Sequence, residues 1–402
     1  MKTLRCHFLI VGAGIIGLTI ARELAGRGAK DIIVMEKEEA PGLHASGRNS
    51  GILHAGIYYS SDSLKARFCV EGNRSMKKFC RQKSLALYES GKVIVAQDES
   101  ELQRLYELKK RADLNGAKAV LISEQQLAEL EPHARTYREA LYAPETAVID
   151  AAEVMKALER DVLQTGKVTI LYRTPLTAFS AERTADTRSG PIVFEKLINA
   201  AGTFADEIAH LFDVASEYQI LPFKGTYKRL VPQRSFLARG NIYPVPDLEN
   251  PFLGVHFSRK VDGQVFIGPT AIPAFGRENY DMMPHGFRET GSIFYRDAIL
   301  WLRNRAFRRK ALSEVKKYSR RIVHREAKKL VPELRLEDLE NSSKVGIRAQ
   351  LVHWPTKKLV MDFVVLECAD SIHILNAVSP AFTCSMAFAK HIADLCVTPS
   401  SQ

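Results

Sequence analysis

The chain has 402 residues, of which 46% are hydrophobic and 26% charged. This balance is that of a soluble globular protein large enough for two domains with their own cores. The net charge of +11 at pH 7 favours anionic partners. The six cysteines show no CxxC pair or metal-ligand spacing, so we expect a reduced, cytoplasmic setting. No apolar run is long enough for a membrane span, and glycines interrupt the run after Arg5, which argues against a signal peptide.

The first predicted elements form a dinucleotide-binding unit of strand, glycine turn, helix and second strand. Gly12 permits the turn, Gly14 lets the backbone approach a pyrophosphate, and Gly17 lets the helix pack closely on the sheet. Glu36 ends the second strand, where a carboxylate can accept the ribose hydroxyls. The predicted cofactor-binding residues of this unit are Gly12, Gly14, Ile15, Ile16, Gly17, Glu36 and Lys37.

A loop rich in glycine and small polar residues follows, between residues 42 and 59. Its glycines bring backbone close to a ligand, and Arg48 can neutralise a phosphate. The alternative is an ordinary surface loop. The predicted cofactor-binding residues of the loop are Ser46, Arg48, Asn49, Ser50 and Gly51.

The middle of the chain predicts an interleaved layout of strands and helices rather than two domains in series. The predicted elements are a strand at 92–96, helices at 99–115 and 123–130, a crossover at 141–150, a helix at 151–163 and a strand at 168–172. A buried parallel strand then runs from Lys196 to a tight turn at Gly202.

Residues 222–284 change to short strands separated by proline, glycine and aspartate, which predicts an antiparallel sheet with a hairpin at Asp262-Gly263. Basic amphipathic helices follow at about 301–330, where twelve Lys or Arg fall between Arg303 and Lys329. This charge is either a solvated helical face or a surface that adheres to an anionic membrane. RNA binding is less favoured because few aromatic residues lie among the charges.

Several motifs together resemble the FAD-dependent D-amino-acid-oxidase-like superfamily. They are the Gly12/Gly14/Gly17–Glu36 fingerprint, the SGRNSGILHAGIYY segment, LKARFC at 64–69 and INAAGTFAD at 198–206. Other segments resemble the L-2-hydroxyglutarate dehydrogenase/oxidase family within it. They are NIYPVPD at 241–247, FLGVHF at 252–257, GIRAQ at 346–350 and NAVSPA at 376–381.

The resemblance implies an α/β fold, with a Rossmann-like FAD-binding domain and an inserted α+β substrate domain built on an antiparallel sheet. We expect the FAD-binding domain at 1–88, 141–215 and 346–402, and the substrate domain at 89–140 and 216–345. The chain departs from the family pattern at Lys224, where an arginine is usual, and at Phe382, where the family has a smaller residue. Lysine keeps the charge but lacks the planar fork that grips a carboxylate.

Oxidation of a 2-hydroxy acid requires a base, a carboxylate anchor and a hydride acceptor, and flavin N5 is the acceptor that the resemblance implies. Histidine suits the base because its pKa lies near neutrality, and His54 and His256 are both candidates. Arg348 resembles the carboxylate-binding arginine of the superfamily. The second cation that a dicarboxylate needs stays open among Lys224, Lys65 and Arg277, and Tyr243 and Tyr59 are candidate hydrogen-bond donors.

The C-terminal segment predicts a helix with Ser379 as N-cap and Pro380 at its first position. Its positive end can stabilise negative charge on a reduced flavin. The remaining predicted cofactor contacts, given by the resemblance, are Leu176, Ala200, Ala201, Gly202, Arg348, Ser379, Pro380, Ala381, Phe382 and Thr383.

The expected activity is FAD-dependent oxidation of L-2-hydroxyglutarate to 2-oxoglutarate, with electrons passed to quinone or oxygen. We expect peripheral contact with the inner face of the cell membrane through the basic helices. One alternative is an amino-acid oxidase of the same fold, which a substrate panel separates. Another is a basic flavoprotein that binds or modifies RNA, although no nucleic-acid motif accompanies the charge.

Overall fold

A computed structural model describes residues 3–181, 183–247, 254–281, 283, 286–317 and 319–397. The chain divides into two compact units. Unit 1 comprises Met1–Asn49, Ala151–Pro222 and Arg348–Gln402, and unit 2 comprises Ser50–Asp150 and Phe223–Ile347.

The described strands are β1 (Leu4–Val11), β2 (Ile32–Met35), β3 (Ile52–Leu53), β4 (Leu87–Tyr88), β5 (Lys92–Val95), β6 (Val120–Ser123), β7 (Glu139–Ala143), β8 (Ala147–Ile149), β9 (Val168–Leu171), β10 (Leu176–Ala181), β11 (Thr184–Thr187), β12 (Ile192–Asn199), β13 (Tyr218–Leu230), β14 (Asn241–Pro244), β15 (His256–Arg259), β16 (Val265–Gly268), β17 (Ile272–Pro273), β18 (Leu339–His353), β19 (Lys358–Leu359), β20 (Val365–Glu367) and β21 (Ser371–Ile374). The described α-helices are α1 (Ile15–Gly26), α2 (Ala45–Arg48), α3 (Leu64–Gln82), α4 (Glu99–Leu114), α5 (Glu124–Leu130), α6 (Ala151–Gln164), α7 (Ala205–His210), α8 (Phe287–Arg303), α9 (Arg305–Lys316), α10 (Arg320–Leu330) and α11 (Ala381–Val397).

Unit 1 is built on a parallel sheet in the order β21-β12-β1-β2-β9, with β10 and β11 added antiparallel at the start of β12. β1 lies in the centre, where Ile10 pairs with Ile198 on one side and Val34 on the other. All three side chains are buried, as a parallel strand covered on both faces requires. Helix α1 packs against α6 and α11. The Rossmann-like architecture predicted from the glycine motif is therefore confirmed.

The large sheet of unit 2 has the order β18-β13-β16-β15-β14-β5-β7-β6, in which β13 belongs to this unit from Phe223 onward and β18 up to Ile347. The hairpin predicted at Asp262-Gly263 joins β15 to β16, which pair antiparallel. Within the segment predicted to form short strands, β15 begins at His256, and Leu253 lies outside the described residues. One pair departs from the antiparallel prediction, because β14 and β5 run parallel.

The two faces of this sheet differ in chemistry because side chains alternate along each strand. Phe257 and Ile267 belong to an apolar cluster that α10 completes with Val323 and Ala327. His256 precedes Phe257 on β15 and therefore faces the opposite way. The sheet thus has one face packed on α10. The opposite face, called the polar face here because it carries His256, also packs on α4 through Ile94 and Leu141.

A three-stranded sheet in the order β3-β8-β4 corrects two predictions. Residues 141–150 were expected to cross over within the FAD-binding domain, but they form β7 and β8, which pair with strands of unit 2. Residues 50–88 also group with unit 2 rather than with unit 1. The reason is that the Asn73 amide of α3 donates to the carbonyls of Leu53 (3.2 Å), His54 (3.0 Å) and Glu145 (3.1 Å).

The basic helices predicted at 301–330 are three helices, α8, α9 and α10, and the first begins earlier than expected, at Phe287. Among the described residues, no helix combines the length and apolar character needed to cross a bilayer.

Candidate active site

The turn between β1 and α1 has the geometry that its glycines predict. Gly12 has φ +107°, and a Cβ there would lie 2.6 Å from the carbonyl oxygen of Ala200. A Cβ on Gly17 would lie 1.9 Å from the carbonyl oxygen of Gly12. Real Cβ atoms do not approach backbone this closely, so the turn closes only with glycine at both positions.

The start of α1 is organised by side chains from two neighbouring segments. The N-cap, Gly14, has no side chain to cap the helix, and the Ile15 N–H donates to Ser46 Oγ at 2.9 Å. Glu36 accepts from the Ala13 N–H at 2.9 Å and from the Glu38 N–H at 3.0 Å. A carboxylate is thereby fixed beside a glycine turn and a helix N-terminus, an arrangement that suits the ribose and pyrophosphate of a dinucleotide.

Other predicted cofactor contacts of unit 1 lie partly at this turn and partly elsewhere in the unit. A Cβ on Gly12 would lie 3.3 Å from Ala201 Cα, which places the turn after β12 against the glycine turn. Gly202 follows with φ +59°. Leu176 begins β10 at the edge of the same sheet. Lys37, also predicted to bind cofactor, contacts Glu38 and lies 3.1 Å from His44 Nε2.

The loop after β2 contains the short helix α2 and then passes from unit 1 to unit 2. Arg48 Nε donates to the Leu43 carbonyl at 2.9 Å, and the Asn49 amide donates to the Ser46 carbonyl at 2.6 Å. These two predicted contacts therefore hold the loop itself. Ser50 and Gly51 begin unit 2, where the Ser50 carbonyl accepts from Lys260 Nζ.

The C-terminal helix corrects one local prediction. Helix α11 begins at Ala381, and the Pro380 carbonyl accepts from the Cys384 N–H at 3.0 Å, so Pro380 is the N-cap and Ser379 precedes it. Proline has no side-chain acceptor, so the first N–H groups of α11 gain no side-chain cap from this residue. Phe382 and Thr383 lie in the first turn, and Arg348 lies half-buried on β18 in the same unit.

In unit 2, His256 lies on the polar face of the large sheet and is 3% exposed. Its Nδ1 lies 2.8 Å from the Gly254 carbonyl, which can only accept, so Nδ1 carries the proton and Nε2 is the basic nitrogen. The ring stacks on Tyr243, with centroids 3.9 Å apart and an interplanar angle of 25°. Burial lowers the pKa of His256 to about 4, so the imidazole is neutral at physiological pH.

The other candidate base, His54, follows β3 and is 8% exposed. Its backbone carbonyl accepts from Asn73, as described above. His54 thus follows a strand of the three-stranded sheet, whereas His256 lies on the large sheet that carries Tyr243.

The candidate cations for a distal carboxylate are all buried, with exposed fractions of 2% for Lys224, 6% for Lys65 and 4% for Arg277. Lys224 Nζ donates to Asn279 Oδ1 at 2.9 Å and to the Asp281 carbonyl. Burial lowers the pKa of Lys224, and the charge of Asp281 offsets part of this effect. The candidate hydroxyl donors differ in exposure, because Tyr243 is buried and Tyr59 is half-buried.

The sequence analysis missed three lysines on the polar face of the sheet: Lys92, Lys260 and Lys344. Lys92 is 1% exposed at the start of β5. Burial lowers the pKa of both Lys260 and Lys344, which lie close enough to interact. A lysine at the start of an apolar strand usually keeps its ammonium in solvent. Only the alternation of side chains along β5 could have indicated this burial, because it places Lys92 on the same face as Ile94.

The comparisons with known proteins agree with this geometry. The family model described as FAD dependent oxidoreductase (DAO) matches residues 7–395. The chain belongs to this family. FAD is therefore its cofactor, and the glycine turn, the start of α1 and Glu36 fit the nucleotide part of FAD.

Curated relatives cover almost the whole chain. L-2-hydroxyglutarate dehydrogenase of Escherichia coli (strain K12) is 34% identical over 393 residues, which cover 96% of this chain and 92% of the relative. The mitochondrial L-2-hydroxyglutarate dehydrogenase of Homo sapiens is 33% identical over 407 residues, which cover 96% and 87%. The family resemblance expected from the motifs is confirmed.

Solved structures share the fold. Dithionite-reduced L-alpha-glycerophosphate oxidase from Mycoplasma pneumoniae with FAD bound superposes with a TM-score of 0.78 at 23% identity, covering 98% of this chain and 95% of that one. Glycine oxidase from Geobacillus kaustophilus gives a TM-score of 0.70 at 18% identity, covering 99% and 96%. At these identities the similarity shows the fold alone.

Proposed function

We propose that this FAD-dependent oxidoreductase converts L-2-hydroxyglutarate to 2-oxoglutarate. The observation that carries the proposal is the similarity to relatives named for this substrate, which extends over 96% of the chain at 33–34% identity. The motifs that first indicated this family lie in both units, so the similarity includes the polar sheet face as well as the nucleotide-binding turn.

His256 is the proposed base. Its Nε2 is unprotonated at physiological pH, so it can take the hydroxyl proton of the substrate as the Cα–H bond breaks. FAD, when bound, supplies the acceptor for the hydride from Cα. Loss of one proton and one hydride converts the alcohol to the ketone.

Arg348 is the proposed anchor for the carboxylate next to the reacting carbon, since a guanidinium can bind a carboxylate through two parallel hydrogen bonds. Lys224 is the proposed partner of the distal carboxylate. Its ammonium has three N–H donors, of which Asn279 and Asp281 take two. A short chain of contacts links Lys224 to His256. Thr226, two residues from Lys224, has its carbonyl oxygen 2.9 Å from the position that a Cβ on Gly268 would take. Gly268 in turn pairs with His256 across the sheet.

Anaerobic mixing tests the activity. We expect L-2-hydroxyglutarate to bleach the flavin band near about 450 nm, while the D-enantiomer, L-glutamate and other amino acids leave it unchanged. Bleaching by an amino acid alone would contradict the proposal and favour an amino-acid oxidase. Persistent colour with every 2-hydroxy acid would also contradict it.

A one-carboxylate analogue tests the role of Lys224. In the Lys224→Met variant, KM for L-2-hydroxyglutarate should rise by about tenfold or more, since one charge-assisted hydrogen bond is worth about 1.5–3 kcal/mol. The KM for L-2-hydroxybutyrate, which has the same chain without the distal carboxylate, should change little. An equal rise for both substrates would assign Lys224 a structural role.

The electrons leave to a quinone or to oxygen in this proposal. Stopped-flow reoxidation of the reduced protein by a water-soluble quinone and by oxygen compares the two acceptors directly. If neither reoxidises the flavin faster than it reoxidises free reduced flavin, both acceptors are wrong.

We also propose that α8 binds an anionic membrane surface. Its side chains at 287, 294 and 302 share one face, and Phe287, Phe294 and Leu302 are 98%, 71% and 72% exposed. Exposed Arg288 and Arg303 lie near the two ends of this apolar stripe, and the net charge of the chain is +11. An apolar stripe with a cation near each end, on a protein of high positive charge, suits a membrane with anionic headgroups.

Vesicle flotation tests this contact. The protein should bind vesicles with phosphatidylglycerol at low salt and bind phosphatidylcholine vesicles weakly, because exposed charges are screened as salt rises. Phe294→Glu with Leu302→Glu should reduce binding by about tenfold or more, since each apolar side chain contributes about 1.5–3 kcal/mol when buried. Leu114→Glu, at a 65% exposed position ending α4, is the matched control. Equal binding by stripe and control variants would refute the proposal.

A further inference from the structure

Lys92 is the most deeply buried of the described lysines in the sheet of unit 2, with 1% of its surface exposed. Its Nζ makes no hydrogen bond within the described part of the chain. An ammonium removed from water without a hydrogen-bond partner carries a large desolvation cost, so such a group is rare unless it serves a purpose. The aromatic rings around it indicate what that purpose is.

Two tyrosine rings surround the Lys92 ammonium. Nζ lies 4.3 Å from the ring centroid of Tyr58 and 4.9 Å from that of Tyr243, within the range of cation–π attraction. Burial raises the pKa of both phenols, so the rings are neutral and contribute only their π faces. The ammonium is thus held by rings rather than by a counter-ion.

Tyr243 connects Lys92 to His256. It lies opposite His256 in the pairing of β14 with β15, and the two rings stack. The two centroid distances place the ammonium no more than about 9 Å from the imidazole. A proton on His256 would therefore put a second cation on the same tyrosine in a water-poor environment, where charges interact strongly.

We propose that Lys92 is a positioning residue that acts through Tyr243: its ammonium holds the tyrosine ring against His256 and opposes protonation of the imidazole. The base is thereby kept ready to accept a proton from the substrate. This inference rests on the proposed role of His256 as the base.

The other groups near His256 do not replace this effect. Lys317 also opposes a proton on the imidazole, but its Nζ pairs with buried Glu314 at 2.6 Å, which offsets its charge. Besides the two tyrosines, the titratable group that interacts with Lys92 is Cys69, and this electrostatic interaction raises the pKa of Lys92. Burial lowers the pKa of Lys92 to about 7 and that of His256 to about 4. Lys92 is therefore charged throughout the range in which His256 titrates.

The test is an NMR titration of the FAD-loaded protein labelled with ¹³C-histidine, with the His256 signal assigned by its absence in His256→Gln. In Lys92→Met, which keeps the length of the side chain without its charge, the His256 midpoint should rise by about 0.7 to 1.4 pH units, from Coulomb's law at about 9 Å and an effective dielectric constant of about 20 to 40. Lys77→Met is the matched control, because Lys77 is also buried but pairs with Glu89 at 2.9 Å.

The unmodified protein gives a second measurement that needs no variant. The His256 signal should show an additional small inflection near pH 7, as Lys92 loses its proton. An unchanged His256 midpoint in Lys92→Met, or the absence of this inflection, would overturn the inference. Neither readout requires turnover, so a protein that fails to oxidise L-2-hydroxyglutarate but shows both effects would contradict the proposed function and leave this inference standing.

The acid limb of the pH profile for flavin reduction links the inference to catalysis. It should move to higher pH by the same amount in Lys92→Met and stay in place in Lys77→Met. A loss of rate with no movement of the limb would assign Lys92 a structural role and overturn the inference.

Discussion

Alanine substitutions at three glycines, the N-cap of α1 and two residues within the helix, should separate two roles of the nucleotide-binding turn. A Cβ on Gly17 would lie 1.9 Å from a backbone oxygen, and a Cβ on Gly14 would lie 3.1 Å from Ser46 Oγ, which can rotate. A Cβ on Gly26, at the exposed end of the same helix, would meet nothing within 4 Å. The series therefore runs from a backbone clash to open space along one helix.

The expected magnitudes follow from these distances. In Gly17→Ala the turn and the start of α1 must separate by more than about 1 Å to reach 3.0 Å, and such overpacking costs about 1–3 kcal/mol. In Gly26→Ala the apo protein should gain about 0.5 kcal/mol or more, because alanine loses less backbone entropy than glycine. In Gly14→Ala the apo stability should fall by up to about 1 kcal/mol, because the methyl displaces Ser46 Oγ from the Ile15 N–H, and the methyl also occupies the side from which the pyrophosphate approaches.

Denaturant unfolding of the apo proteins and fluorescence titration with FAD measure the two effects separately. Gly17→Ala should lose both stability and FAD affinity. The affinity should fall about tenfold for each 1.4 kcal/mol of binding free energy that is lost when the N–H groups of α1 are displaced. Gly14→Ala should lose affinity with a smaller loss of apo stability than Gly17→Ala, and Gly26→Ala should lose neither. Wild-type FAD affinity in Gly17→Ala would refute the argument that close helix packing positions the N–H groups of α1.

Three further predictions concern groups in the interior. Glu36→Gln should weaken FAD binding by about tenfold, measured by titration, because an amide offers one acceptor where the carboxylate accepts from both Ala13 and Glu38. Ser46→Ala should cost about 1 kcal/mol of apo stability in denaturant unfolding, because the Ile15 N–H loses its acceptor. Burial lowers the pKa of His256 and His373 from 6.5 to about 4. Between these pH values the unfolded chain binds more protons than the folded protein. The free energy of unfolding therefore falls as the pH drops from 6.5 to 4. The fall is on the order of 3 kcal/mol per histidine. His373→Asn should show a shallower fall in thermal unfolding, and an unchanged slope would contradict the assignment.

The parts of the fold that local sequence determines were predictable. The turn at Gly12 needs a positive φ, the strand that ends at Asn199 leads into a glycine turn, and Asp262-Gly263 is a hairpin turn. Each of these signals is contained in fewer than ten residues. The segment 141–150 was not predictable, because its strands depend on partners far away in sequence and on hydrogen bonds from Asn73.

The same distinction applies to the candidate site. His256 was identified from its residue type and the family resemblance, but its tautomer depends on the Gly254 carbonyl, which only the structure supplies. Arg48 and Lys37 have the charge that phosphates require, yet the structure shows each in contact with its own loop. Charge alone predicts a contact with an anion, whereas the structure shows which donors already form hydrogen bonds within the protein.

The buried lysines of unit 2 connect these observations. Lys92 and Lys224 lack a carboxylate partner within 4 Å among the described residues, although both are almost fully buried. Uncompensated cations destabilise a folded protein unless they gain a counter-charge in a functional state. In the proposed function, the distal carboxylate of the substrate would supply that charge at Lys224, whereas Lys92, enclosed by aromatic rings, is suited to act on His256 rather than to bind an anion. The two proposals thus assign one lysine of this sheet to recognition of the substrate and the other to control of the base.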